Sequence, residues 1–280
     1  MIPRKFLLTL GLVVSSAVST YFVTVSTTAQ QGAQTQASAD NEYQVAATLY
    51  QQKAAEYRAL TYQAFNWARV VLDGDEKTAK KLPKIERKKP RAVVVDIDET
   101  VLDNSPSQAQ LIKKRAPFTQ ASWYAWGDMR KAKAVPGSVE FLNYAVTKGV
   151  KVFFISNRDE VQKQATIDNL KTAGFQDVST DNVVLRTSES SKEARRQAIL
   201  QKYRIVILMG DNLDDLSNVF ERKSVIDRFA ETDKALAMFG NKFIVLPNAM
   251  YGTWENAIYE YQGLNDAQKA EKRANALELP

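Results

Sequence analysis

Arg91-Ala92-Val93-Val94-Val95-Asp96-Ile97-Asp98-Glu99-Thr100-Val101-Leu102 is the stretch on which the rest of the chain turns. Three consecutive valines behind Arg91 run straight into two carboxylates. An unbroken β-branched run of this length predicts a strand buried on both faces, as in a parallel sheet flanked by helices. In such sheets function collects at the carboxyl ends of the strands. Asp96 and Asp98 stand two apart, so on extended chain they leave from the same side. Two crowded carboxylates repel unless a cation or a shared proton intervenes, and the pair therefore asks for a metal.

Further along the chain the same pattern recurs twice. Val152-Phe153-Phe154-Ile155 ends in Ser156-Asn157-Arg158, and Ile205-Val206-Ile207-Leu208-Met209 ends in Gly210-Asp211-Asn212-Leu213-Asp214-Asp215. Between them, Ser190-Ser191-Lys192 opens a helical stretch. Helical patterns over 138–148, 160–173, 190–202 and 223–239 alternate with strands over 152–155, 183–185, 205–209 and 243–246, and residues from Trp254 onward read as helical. This alternation predicts α/β architecture with a parallel sheet.

These four segments resemble, in order and in context, the four motifs of the haloacid dehalogenase (HAD) superfamily of phosphohydrolases. Asp96-x-Asp98-x-Thr100 is similar to motif I, Ser156 to motif II, Lys192 to motif III and Asp211-x-x-x-Asp215 to motif IV. Longer phrases narrow the resemblance: Asp98 to Pro106, Ala134-Val135-Pro136-Gly137, Gly210 to Asp215, and Leu246-Pro247-Asn248-Ala249-Met250-Tyr251-Gly252-Thr253-Trp254-Glu255. Together they resemble the class C acid phosphatases and 5′-nucleotidases of the lipoprotein e family, from about Tyr43 to the C-terminus. The resemblance implies a HAD-like Rossmannoid sheet over 91–280 with a small helical cap inserted at about 103–135.

It also implies a set of roles. Asp96 would attack phosphorus and become an aspartyl phosphate. Asp98 would protonate the leaving oxygen and then deprotonate the hydrolytic water. Lys192, Ser156 and Thr100 would neutralise or hydrogen-bond the phosphoryl oxygens. Mg²⁺ would be held by Asp96, Asp211 and the backbone carbonyl of Asp98, with Asp215 as ligand or support. Tyr251 matches a position at which relatives stack a nucleobase, and Trp123 and Trp126 in the cap, with Asn157 and Arg158, are candidates for substrate contact. Relatives carry an aromatic residue eight before the nucleophile. This chain has Lys88 there, which favours a broad phosphomonoesterase over a strict nucleotidase.

Composition sets boundaries around that reading. The chain has 280 residues, 45% hydrophobic and 25% charged, with a formal charge of +6. This suffices for one large α/β domain with additions. Without residues 1 to 29, Lys and Arg fall from 38 to 36 against 32 acids and the charge to +4. That excess suits a small phosphorylated substrate and gives no argument for a nucleic-acid polymer. There is no His and no Cys. Phosphohistidine and phosphocysteine chemistry, a Ser-His-Asp triad, His- or Cys-ligated zinc and a lipidated N-terminal cysteine are all excluded.

Arg4 and Lys5 precede an apolar run from Phe6 to about Val25 that ends in small residues at Thr27-Thr28-Ala29. Residues 1–29 are expected to be an export signal, or an N-terminal membrane anchor if uncleaved. Export to the periplasm or the medium follows from this. Residues 30–40, rich in Gln, Ala and Ser, read as a tether. Apolar spacing over 41–72 predicts one long amphipathic helix docked on the core, its aromatics packing. Lys77 to Arg91, with eight Lys or Arg, reads as a basic linker. The rival readings are a phosphatase or phosphotransferase for sugar or peptide phosphates, and an envelope protein that captures ligand without turnover. Oligomerisation is left open.

Overall fold

The computed structural model describes residues 40–280, so the expectations for the leader and for tether residues 30–39 lie outside the described residues. Five strands form one sheet: β1 (Arg91–Val95), β4 (Lys151–Asp159), β5 (Val183–Arg186), β6 (Arg204–Gly210) and β7 (Phe243–Val245). Their order is β5-β4-β1-β6-β7 and every pairing is parallel. The valine run thus occupies the centre, where a strand has neighbours on both edges and cover on both faces. Its side chains divide accordingly. Val93 and Val95 enter one core layer with Phe154, Ile207, Phe65, Leu72 and Leu142, while Ala92 and Val94 enter a second with Phe153, Leu208, Ile199 and Phe220.

Eleven α-helices are described: α1 (Val45–Lys53), α2 (Ala55–Ala79), α3 (Lys84–Lys88), α4 (Ser105–Lys114), α5 (Gln120–Met129), α6 (Ser138–Thr147), α7 (Lys163–Thr172), α8 (Glu193–Lys202), α9 (Val225–Lys234), α10 (Thr253–Ile258) and α11 (Asp266–Asn275). The single helix expected over 41–72 is corrected. Ala54 is extended (φ −78°, ψ 128°), ending α1 and starting α2, which runs on to residue 79. Phe65 packs as expected, but Trp67 is half exposed, its indole donating to Gly240 O at 2.6 Å. The end of α2 is pinned by Asp75, whose carboxylate takes both terminal nitrogens of Arg204 at 2.7 Å, at the start of β6.

Two short antiparallel strands, β2 (Leu102–Asp103) and β3 (Lys133–Ala134), close the base of the segment holding α4 and α5. The cap insertion expected at about 103–135 falls on this helical segment. Asp159, at the end of β4, accepts from Tyr124 Oη at 2.6 Å and Gln120 Nε2 at 2.7 Å, tying α5 to the sheet. Among the described residues no helix is long and apolar enough to cross a membrane.

Candidate active site

The strand ends bring the acidic residues together. Asp96 follows β1 directly and its N–H still donates to Met209 O at 2.9 Å, continuing the ladder with β6. On that neighbouring strand the chain passes Gly210 into Asp211, and the turn over Leu213–Asp215 carries Asp215 back toward the same point. Carboxylate oxygens of Asp96, Asp211 and Asp215 lie within 4.8 Å of one another. Lys192, at the cap of α8, places its ammonium between Asp96 and Asp215, 2.7 Å from the latter.

Three carboxylates against one lysine leave an excess of negative charge in a buried setting. Burial drives the Asp96 carboxyl well above its usual range, with Asp215, Asp211 and Asp98 adding to the rise and Lys192 opposing it. Burial, with Asp215, likewise pushes Asp211 up to about 7, against hydrogen bonds from Asn248 and Thr100. Lys192 loses charge stability by burial, yet Asp215 and Asp96 outweigh that and hold it above the ordinary lysine range. An oxygen-only set of crowded carboxylates is the donor chemistry that a hard divalent cation fits. Asp96, Asp211 and Asp215 are the residues that would hold one.

Asp98 takes no part in that cluster through its carboxylate. Just beyond Asp98 the chain turns, with Glu99 in the left-handed region (φ 61°). Asp98 instead meets Arg158 Nη2 at 2.8 Å, Asn104 Nδ2 at 2.8 Å and Ser156 Oγ at 3.0 Å. The two carboxylates of the pair therefore do not share one site, and the ligand expected from Asp98 is its backbone carbonyl. Asp214 is likewise diverted, to Arg228 at 2.9 Å.

A cavity of about 690 Å³ opens over these groups. Asp96, Asp98, Ser156, Asn157, Arg158, Lys192, Asp211 and Asp215 line its floor, and Phe118 and Trp123 of the cap, Tyr251, Tyr43 and Arg273 line its sides. Three expected site residues are placed differently. Thr100 is fully buried, its hydroxyl set between Asp211 Oδ1 at 3.0 Å and Asp96 Oδ2 at 3.3 Å while accepting the Asp211 N–H, so it braces the aspartates from behind. Trp126 does not line the cavity. Its ring is in the core and its indole donates to Asn104 Oδ1 at 2.7 Å. Arg158 reaches the cavity wall, but its guanidinium is spent on Asp98 and on Thr166 Oγ1.

Tyr251 stands on the wall with its hydroxyl donating to Glu99. Glu99 was not foreseen. It is wholly buried and accepts the Asn104 N–H at 2.7 Å, and burial, then Asp98 and Asp211, raise its carboxyl well above the usual range. Asn248, which donates to Asp211 Oδ2 at 2.8 Å, was visible only within a longer phrase. Tyr43 and Arg273 were missed altogether. They come from opposite ends of the described chain and stack with the guanidinium 3.6 Å from the ring centroid. Lys88 closes α3, before β1 begins, and does not line the cavity.

A carboxylate at the tip of the central parallel strand, a lysine across from it and an acidic turn on the adjacent strand define the HAD class of phosphoryl-transfer proteins. The model of HAD superfamily subfamily IIIB (acid phosphatase) matches residues 8–254, and the chain belongs to that family. It is similar in structure to the class C acid phosphatase from Bacillus anthracis, with a TM-score of 0.79 and 39% identity over 86% of this chain and 98% of that one. The same enzyme with tungstate bound gives 0.80 and 40% at the same coverage. In sequence the chain is 30% identical over 131 residues to acid phosphatase 1 of Solanum lycopersicum, spanning 44% of this chain and 51% of that protein. The match thus spans about half the length of such curated relatives.

Proposed function

We propose that this chain hydrolyses small phosphomonoesters, 5′-nucleotides among them, through an aspartyl phosphate on Asp96, with Mg²⁺ as its metal and outside the cytoplasm. The observation that carries the reading is the floor of the cavity, where Asp96, Lys192 and Asp98 stand together beneath an opening large enough for a leaving group. Export rests on the Arg4-Lys5 apolar leader alone.

In the first step a carboxylate oxygen of Asp96 forms a bond to phosphorus as the ester P–O bond breaks. The departing oxygen takes the proton of Asp98. In the second step water attacks phosphorus and gives its proton to Asp98, the P–O bond to Asp96 breaks, and inorganic phosphate leaves. Lys192 neutralises phosphoryl oxygens beside the attacking carboxylate, and Thr100 keeps Asp96 and Asp211 oriented. A divalent cation on Asp96, Asp211 and Asp215 would supply charge neutralisation and polarise the phosphoryl group. Phe118, Trp123, Tyr43 and Tyr251 line the cavity where the leaving group would lie, and stacking on aromatic rings tolerates varied groups.

The test is phosphate release from AMP, nicotinamide mononucleotide and p-nitrophenyl phosphate, with Mg²⁺ or EDTA, for the wild type and Asp96→Asn. Metal-dependent turnover that drops at least about 10³-fold in the variant supports the reading. Nucleotide binding with no turnover of any of the three overturns it in favour of a capture protein.

A further inference from the structure

Arg158 has a side chain only 1% exposed, and its sole carboxylate partner is Asp98. Its contacts are unequal between the two carboxylate oxygens. Oδ1 receives Nη2 at 2.8 Å, Nε at 3.0 Å and Asn104 Nδ2 at 2.8 Å. Oδ2 receives Ser156 Oγ at 3.0 Å and a longer approach from Nε at 3.2 Å. With three donors Oδ1 has little capacity left, whereas the partner that dominates Oδ2 is a hydroxyl, which can turn from donor to acceptor. The arginine is itself immobilised, because Nη1 donates to Thr166 Oγ1 at 3.2 Å and Trp123 covers the guanidinium at 5.4 Å. Trp126 fixes the Asn104 amide so that its NH₂ faces Asp98.

We infer that Arg158 is a positioning residue for proton transfer: it holds Asp98 by Oδ1 so that Oδ2 carries the proton to the leaving oxygen. The inference rests on the proposed role of Asp98. A side chain acting this way matters most where the leaving group cannot depart unprotonated. An alkoxide needs the proton as the P–O bond breaks, and a nitrophenolate hardly does. A residue binding the phosphoryl group would instead affect both substrates alike, since both present the same phosphate.

The experiment compares kcat/KM, which reports the step that expels the leaving group, for 2-glycerophosphate and p-nitrophenyl phosphate. In Arg158→Gln the alkyl substrate is expected to lose about 100-fold, the cost typical of a misplaced reacting group, and the aryl substrate less than about fivefold, a hydrogen bond's worth or so. Arg158→Lys keeps the charge but not the fork, and gives the same selective loss. Placed on Asp98→Asn, Arg158→Gln adds nothing further on the alkyl ester. Should Arg158→Gln fail to fold, Thr166→Val, which loosens the arginine without removing it, shows the same selectivity at smaller size. Equal losses on both substrates, no loss on either, or a further loss in the Asp98→Asn background overturns the inference. Absence of turnover in the wild type on both substrates would instead sink the phosphatase reading itself, together with the role given to Arg158.

Discussion

Gly210 and Asp215 lie so close that a Cβ added to Gly210 would stand 2.4 Å from the Cβ of Asp215 and 2.5 Å from its Oδ2. The glycine is required here by space. Asp215 is held by the Asn212 N–H at 3.0 Å and by Lys192 at 2.7 Å, so it has no unstrained place to retreat. Gly210→Ala is expected to displace the Asp215 carboxylate, weakening Mg²⁺ binding by about 10- to 100-fold and lowering kcat at saturating metal. Mg²⁺ titration of activity checks both.

In the presence of a chelator the carboxylate cluster gives stability a pH dependence. Asp211, with its carboxyl pushed up to about 7, binds a proton in the folded state that the unfolded chain, near the ordinary 3.8, has already released. Its contribution is present below about pH 4 and lost as pH rises through about 7. Thermal melts in EDTA should therefore show Tm falling from pH 5 to pH 7.5. Added Mg²⁺ should raise Tm more at pH 7.5 than at pH 5, because protons compete with the cation at low pH. An equal gain at both values would contradict the assignment of Asp211 as a ligand.

Trp126 acts on the site only through Asn104. Trp126→Phe keeps most of the buried ring and removes the indole donor, a hydrogen bond of about 1 kcal/mol. We expect kcat to fall about fivefold with KM for AMP unchanged, whereas a substrate contact would raise KM. Steady-state kinetics on AMP separate the two.

Asp75 pairs with Arg204 at the opposite end of β6 from the cavity. Asp75→Ala leaves a largely buried guanidinium without its carboxylate, a loss of about 3 kcal/mol. Unfolding in urea should show that loss while kcat/KM is retained.

Much of the cavity floor was legible in the chain because it depends on strand ends. An apolar run that stops at a polar side chain fixes where Asp96, Asp211 and Ser156 sit, whereas Lys192, at the cap of α8, was legible only through the motif resemblance. Residues whose role depends on rotation or on distant closure were not legible. Trp123 and Trp126 are three apart on one short helix, and which of them meets the cavity is decided by how α5 docks, which periodicity does not say. The break at Ala54 has no glycine or proline to announce it. Glu99 reads as a solvent-facing acid until the turn after β1 folds it inward.

The wall made by Tyr43 and Arg273 has a further meaning. The Asp40 N–H donates to Asp266 Oδ2 at 3.2 Å across 226 residues, so this side of the cavity exists only while the two extremities of the described chain stay in register. Such closure contributes few buried apolar contacts and opens locally at far less cost than the sheet. In mild urea, hydrogen exchange at residues 40–44 and 266–273 would quicken before the strands respond. Selectivity among leaving groups would fade first, with hydrolysis of the simplest esters outlasting it.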